Sequence, residues 1–166
     1  MNGKVWKYGD DINTDVILPG RHLANYDTKF LASVAMEDLD KEFAKSVRKG
    51  DIVVGGKNFG CGSSREQAAT CLTAAGVQAV VAKSFARIFY RNAINLGLPV
   101  IQAPELVDKL QKGDDVEFDM EKGTVKILRT GETLHFKALP PFIMEILRDG
   151  GLIPHLKKKM GAAKPQ

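Results

Sequence analysis

Between Asp51 and Ile101 the chain reads strand, helix, strand, helix, strand, and each helical stretch stops at a glycine. Asp51 to Val54 is an apolar run. Ser64 to Ala75 carries helical spacing and ends at Gly76. Val77 to Ala82 is apolar again, Ser84 to Leu96 is helical up to Gly97, and Leu98 to Ile101 is a third apolar run. Short runs without polar alternation fit strands buried on both faces. Glycine just past the last turn is a common helix stop. Parallel strands need a long crossover, usually a helix. This stretch therefore predicts a partly parallel sheet with right-handed crossovers.

The flanks read differently. Val5 to Tyr8 predicts a strand, Asp10 to Asp15 a polar turn, and Val16-Ile17-Leu18 an apolar run stopped by Pro19-Gly20. Residues 28–47 predict two helical pieces. Val116 to Met120, Thr124 to Leu128 and Thr133 to Phe136 predict a meander of short strands turning at Gly123 and Gly131. Pro140 to Arg148 and Leu152 to Lys159 predict closing helices split by Gly150-Gly151. The fold class is α/β with a mixed sheet. A length of 166 residues suits one domain over 1–166, with the tail 160–166 frayed.

Composition narrows the function. At 44% hydrophobic and 27% charged, the chain is ordinary soluble protein, and no apolar run approaches the ~18 residues of a membrane span. The start MNGKVWKYGDD lacks a signal-peptide pattern, so a cytoplasmic location is expected. Cys61 and Cys71 form neither a disulfide framework nor a metal-ligand spacing, and alone they cannot hold an iron–sulfur cluster. His22, His135 and His155 are scattered without a zinc pattern. The net charge is +4, part of it in Lys157-Lys158-Lys159. That run lacks aromatic interleaving and reads as a solvated helix end rather than a nucleic-acid contact. The wider positive balance suits an anionic small substrate or an acidic partner surface.

The stretch 56–70, GKNFGCGSSREQAAT, is the chemical candidate. Ser63 and Glu66 have capping-box spacing, which is a purely structural reading. Capping leaves Gly55, Gly56, Gly60 and Gly62 unexplained. It also leaves Arg65 unexplained, since a cation in the first turn opposes the helix dipole. Free N–H groups at a helix start, close-approach glycines and a guanidinium together make an anion cradle. The Gly-Lys-Ser/Thr ending of a P-loop and the GxGxxG fingerprint are both missing. A serine hydroxyl here could serve as a base if the same amides stabilise its alkoxide. In the next helix, Phe85, Ile88, Phe89 and Leu96 mark an apolar stripe, while Arg87, Arg91 and Asn95 mark a basic one. That basic stripe is either solvated surface or a contact wall.

Three ordered motifs carry a resemblance: GDDINTDVILPGRHL, NFGCGSSRE and AKSFARIFYRNAINLGLP. Over roughly residues 3–160 the chain resembles the small subunits of aconitase-family dehydratases with separate subunits, of the isopropylmalate type. The resemblance implies the family's swivelling domain, a three-layered β/β/α fold. It implies a large partner subunit carrying a 4Fe–4S cluster, a heteromer with its active site between the subunits, and no metal on this chain. The implied activity is a hydro-lyase of leucine biosynthesis interconverting 2- and 3-isopropylmalate. Ser63 matches the family's base, which takes the proton alpha to a carboxylate while the partner's iron receives the hydroxyl. Arg65 and Ser64 match substrate-binding positions, and so does Arg21. Asp15 resembles a recurring aspartate. His22, Leu23, Ala24 and Asn25 match the loop that selects among family substrates. Leu23 and Ala24 offer a small apolar surface suited to an isopropyl arm, because desolvating a charged arm there would be costly. Homoaconitate or a methylated malate stays open as substrate. From another class, a stand-alone anion- or RNA-binding module stays open too.

Overall fold

In the computed structural model, residues 2–162 are described. Seven strands form one curled sheet in the order β4-β3-β2-β1-β5-β6-β7. Strands β1 (Asn2–Lys7), β2 (Ile52–Gly55), β3 (Ala79–Ala82) and β4 (Val100–Gln102) run parallel. Strands β5 (Asp115–Asp119), β6 (Thr124–Ile127) and β7 (Thr133–His135) continue antiparallel from the other edge of β1. Every residue of β2 and β3 is buried. In β5 to β7 buried and exposed positions alternate. The difference follows from topology: crossover helices cover a parallel sheet, whereas a meander has one wet face.

Two apolar clusters lie on opposite faces of the parallel half. Val53, Val80 and Val100 pack with α1 (Thr14–Ile17), α2 (Thr28–Ser33), α3 (Phe43–Ser46), α4 (Glu66–Ala74), α5 (Arg87–Asn95) and α7 (Pro141–Arg148). Val5, Ile52, Val54, Ala79 and Val81 face the other way, onto α6 (Pro104–Lys109) and onto Val116, Phe118, Val125, Ile127 and Leu134 of the meander. The antiparallel half thus folds over the second face of the parallel half. The result is the expected three layers: helices, sheet, sheet. Helix α8 (Leu152–Ala162) is the last described element, and its regular turns extend past Lys159. Any fraying at 163–166 lies outside the described residues.

Two buried aspartates hold the corner at β1. Asp51 accepts the Lys4 N–H (2.8 Å), the Trp6 indole N–H (2.9 Å) and the Arg48 N–H (2.9 Å). Asp114 accepts the Gln111 N–H (2.9 Å) and Arg129 Nε (2.8 Å). The Arg129 hydrogen bond holds the Asp114 carboxyl below its usual range.

Two elements escaped the sequence reading. Val16-Ile17-Leu18 lies in and just after helical turn α1, because the Asn13 side chain accepts the Val16 N–H (2.9 Å) as a cap. Helix α6 starts at Pro104, which needs no N–H there. Helix α5 also begins at Arg87 rather than Ser84. Phe59 donates its N–H to Ser84 O (3.0 Å) and accepts from Ala86 N–H (2.9 Å), which keeps 84–86 extended.

Two measurements test this architecture. Phe59 is fully buried, edge-on to Phe85 (6.0 Å) and Phe89 (5.3 Å). Truncation to alanine in Phe59→Ala costs about 3–5 kcal/mol of unfolding free energy in urea titration. The Asp114 carboxyl is depressed in the fold, so its contribution is present above the ordinary carboxylate pKa and lost as pH falls through the lower, folded value. Asp114→Asn lowers the urea midpoint at neutral pH and makes its decline below about pH 4 shallower than in the wild type.

Candidate functional site

The site grows out of the β1–β2 pair. Beyond the strands, the two chains stay joined. Gly56 N–H donates to Gly9 O (2.8 Å), Asp11 N–H to Lys57 O (2.8 Å), Gly60 N–H to Ile12 O (2.7 Å) and Thr14 N–H to Cys61 O (2.8 Å). Side chains reinforce the seam: Lys57 N–H donates to Asp10 Oδ1 (2.7 Å) and Asn58 Nδ2 to Asp11 Oδ1 (3.1 Å). This closeness explains Gly56, while aromatic packing explains Gly55 and Gly60. A Cβ at Gly56 would sit 1.9 Å from Asp10 Oδ1. Gly60 has φ +79°, and a Cβ there would lie 2.2 Å from Phe89 Cγ. Gly55, Gly56 and Gly60 are buried packing positions, and only Gly62 opens to solvent. The glycine cradle read from sequence is therefore narrower than expected.

The capping box at Ser63 does not form. Helix α4 starts at Glu66, with Arg65 at the N-cap and no side-chain cap. Ser63 is held by the facing loop instead. The buried Thr14 hydroxyl donates to Ser63 O (3.2 Å) and lies 3.3 Å from Ser63 Oγ. With the cap unmade, no backbone N–H from Gly62 to Gln67 finds an acceptor among the described residues. Ser63 and Ser64 are exposed beside these free amides. A helix start with unpaired donors attracts an anion.

Arg65 completes this corner. Its guanidinium pairs with the Asp15 carboxylate, which offsets the unfavourable charge near the helix start. A Cβ at Gly20 would lie 3.4 Å from Arg65 Nη1, so the turn after Pro19 rests against the guanidinium. Ser63, Ser64, Arg65, Thr14 and Asp15 thus meet in one place. Thr14 escaped the sequence reading, although it stands inside the NTD motif beside Asp15.

Arg21 lies in the 3-10 turn Gly20–His22, which rests against Arg65, but its guanidinium turns to a second acid pair. Nη1 donates to Asp38 Oδ2 (2.9 Å) and Nη2 to Asp38 Oδ1 (2.7 Å), with Glu37 also in contact. That fork pushes Arg21 further toward its charged form and holds the Asp38 carboxyl low. In the loop that follows, Leu23 packs against the core, while Ala24 and Asn25 are exposed. Tyr26, not singled out from sequence, is 76% exposed beside them.

The neighbouring helix α5 shows Arg87 and Arg91 exposed and without partners among the described residues, and Asn95 half-buried. Of the predicted apolar stripe, Phe89 is buried and Phe85 and Leu96 pack against the core, but Ile88 is 44% exposed, and Ala93 and Ile94 complete the buried side. Cys71 is buried with its thiol donating to Ala68 O (3.2 Å), and burial pushes its pKa up to about 12. Burial and the Asp11 carboxylate raise the Cys61 thiol. Among the described residues no group of His, Cys, Asp and Glu side chains is arranged to hold a metal.

The same architecture recurs in known proteins. The family model of the aconitase C-terminal domain matches residues 17–106. The small subunit of the isopropylmalate/citramalate isomerase of Methanocaldococcus jannaschii is 52% identical over 99% of this chain and 98% of its own. The 3-isopropylmalate dehydratase small subunit of Thermodesulfovibrio yellowstonii is 49% identical over 96% of this chain and 95% of its own. A crystal structure of a 3-isopropylmalate dehydratase from Methanocaldococcus jannaschii superposes with TM-score 0.92 at 46% identity, covering 97% of this chain and 95% of that one. With the fold, the two joined loops and the full-length likeness in agreement, the chain belongs to the aconitase C-terminal-domain family, among its dehydratase small subunits.

Proposed function

We propose that the chain is the small subunit of a 3-isopropylmalate dehydratase, interconverting 2- and 3-isopropylmalate by loss and return of water. The observation that carries this is the exposed Ser63 hydroxyl beside unpaired amides and Arg65. In the dehydration step, Ser63 Oγ, as alkoxide, takes the proton from the carbon alpha to a carboxylate. The C–H electrons form the double bond, and hydroxide leaves the adjacent carbon. Water adds back with the two carbons exchanged. The free amides from Gly62 to Gln67 stabilise the alkoxide, and Thr14 fixes the hydroxyl. Arg65 grips a substrate carboxylate through its fork, releasing Asp15.

A Lewis acid would assist the loss of hydroxide. Cys61 and Cys71 are not arranged to hold one: the Cys71 thiol is buried, and among the described residues no group of His, Cys, Asp and Glu side chains gathers to bind a metal. We assign that task to a 4Fe–4S cluster on a large partner subunit in a heteromer. The substrate arm meets the exposed side of the loop at Ala24 and Asn25, with His22 and Leu23 behind it. A second substrate, citramalate, is favoured by the name of the 52%-identical Methanocaldococcus relative. A methyl arm is smaller than isopropyl and fits the same small-residue loop.

Reconstitution with the large subunit tests the assignment. Ser63→Ala lowers kcat by about 10²–10⁴-fold, with urea stability unchanged, and activity near wild type would refute the base. Arg65→Lys keeps the charge but removes the fork, so KM rises on both acids and the isolated chain unfolds at a similar midpoint.

A further inference from the structure

The carboxylates facing Arg21 have no part in the chemistry above, yet the chain brings both of them to one guanidinium. Glu37 and Asp38 follow Met36, which adopts a left-handed conformation (φ +60°) and is fully buried. Its N–H donates to Ile17 O (2.8 Å), tying the turn to α1. A non-glycine residue takes this conformation only where its surroundings enforce it. The two acids thereby meet the turn that begins at Gly20, beside Arg65. Asp38 grips the Arg21 guanidinium with both oxygens. Glu37 Oε1 contacts Arg21 Nη2 and lies 2.5 Å from His22 Nε2. The His22 ring stands edge-on to Phe30 at 5.3 Å.

We infer that Glu37 and Asp38 are positioning residues for substrate selection, fixing the 21–25 turn through Arg21 and His22. Exposed ion pairs add little to stability, and Arg21 is 56% exposed, so the network's value is geometric rather than energetic. Two carboxylates on one guanidinium also leave Arg21 with little field to spare for a third anion. Its part is then to hold the turn that presents Ala24 and Asn25. Fixing a short loop from one side by a bidentate fork and a shared carboxylate oxygen sets where its exposed backbone and side chains stand.

The inference rests on the proposed reaction for its kinetic readout, so a second readout is independent of activity. Asp38→Asn, Glu37→Gln and the double variant are assayed in the assembled enzyme on isopropylmalate and citramalate separately. The expected result is a KM for isopropylmalate raised about tenfold or more with kcat within a few-fold, and a smaller change on citramalate. Asp38→Glu recovers part of the loss. In the isolated chain, amide exchange at 22–25 speeds up in the variants while the β2 and β3 amides keep their protection. Unchanged KM values and unchanged selectivity overturn the inference and leave the reaction standing. If the wild-type assembly turns over neither acid, the reaction reading fails, and exchange at 22–25 alone decides whether the acids fix the turn.

Discussion

The hydrogen-bonded seam between the loops after β1 and β2 is the constraint from which the site follows. It continues a parallel ladder past the point where strand geometry ends: the Gly56 N–H meets Gly9 O, and the Thr14 N–H meets Cys61 O. A seam this close excludes a side chain against Asp10, which is why Gly56 stands there, while Gly60 makes room for Phe89 of α5. The seam also brings Thr14 to Ser63 and Asp15 to Arg65. Without it, Ser63 would be free to cap α4 and to take up one of the amide donors left unpaired there.

Much of the fold could be read from the residues, and its failures share one cause. The buried strands and the meander fall within one or two residues of the apolar runs, because burial and period alone define them. Val16-Ile17-Leu18 reads only as a short apolar run, because the helical start of α1 depends on one Asn13 hydrogen bond. The capping box at Ser63 is a sound local pattern that yields to a distant partner, Thr14. Met36 takes a glycine-like conformation that no local signal marks, because the enforcing contact lies near Ile17. Of the residues expected from the family resemblance, Ser63, Ser64 and Arg65 share one corner. Arg21 enters the turn beside it and then points to Glu37 and Asp38. Sequence names residue types well, but it does not reveal which charge a guanidinium prefers.

Both arginines assigned to substrate are neutralised within the chain. Arg65 has Asp15, and Arg21 has two acids. The two cases differ in exchangeability. The Arg65 partner is a single carboxylate, 63% exposed, and a substrate carboxylate can replace it one for one. Displacing the partners of Arg21 means breaking a bidentate fork and a carboxylate shared with His22. On the proposed reading this divides the labour: one guanidinium captures the anion, and the other shapes the turn.

Ser63 is exposed in the isolated chain. Amide donors and a guanidinium stabilise an alkoxide strongly only where water is kept away, because charge interactions in bulk water are about twentyfold weaker than in a dry interior. Here the cradle lies open: Ser63, Ser64 and Gly62 are all exposed. The chain supplies the donors, the hydroxyl and the anchor for a carboxylate, but no wall above them. A second surface must therefore close over this corner before the chemistry becomes favourable. On the proposed reading that surface belongs to the large subunit. On the same reading, the exposed Arg87, Ile88 and Arg91 of α5, the helix packed against α4, offer that surface further contacts.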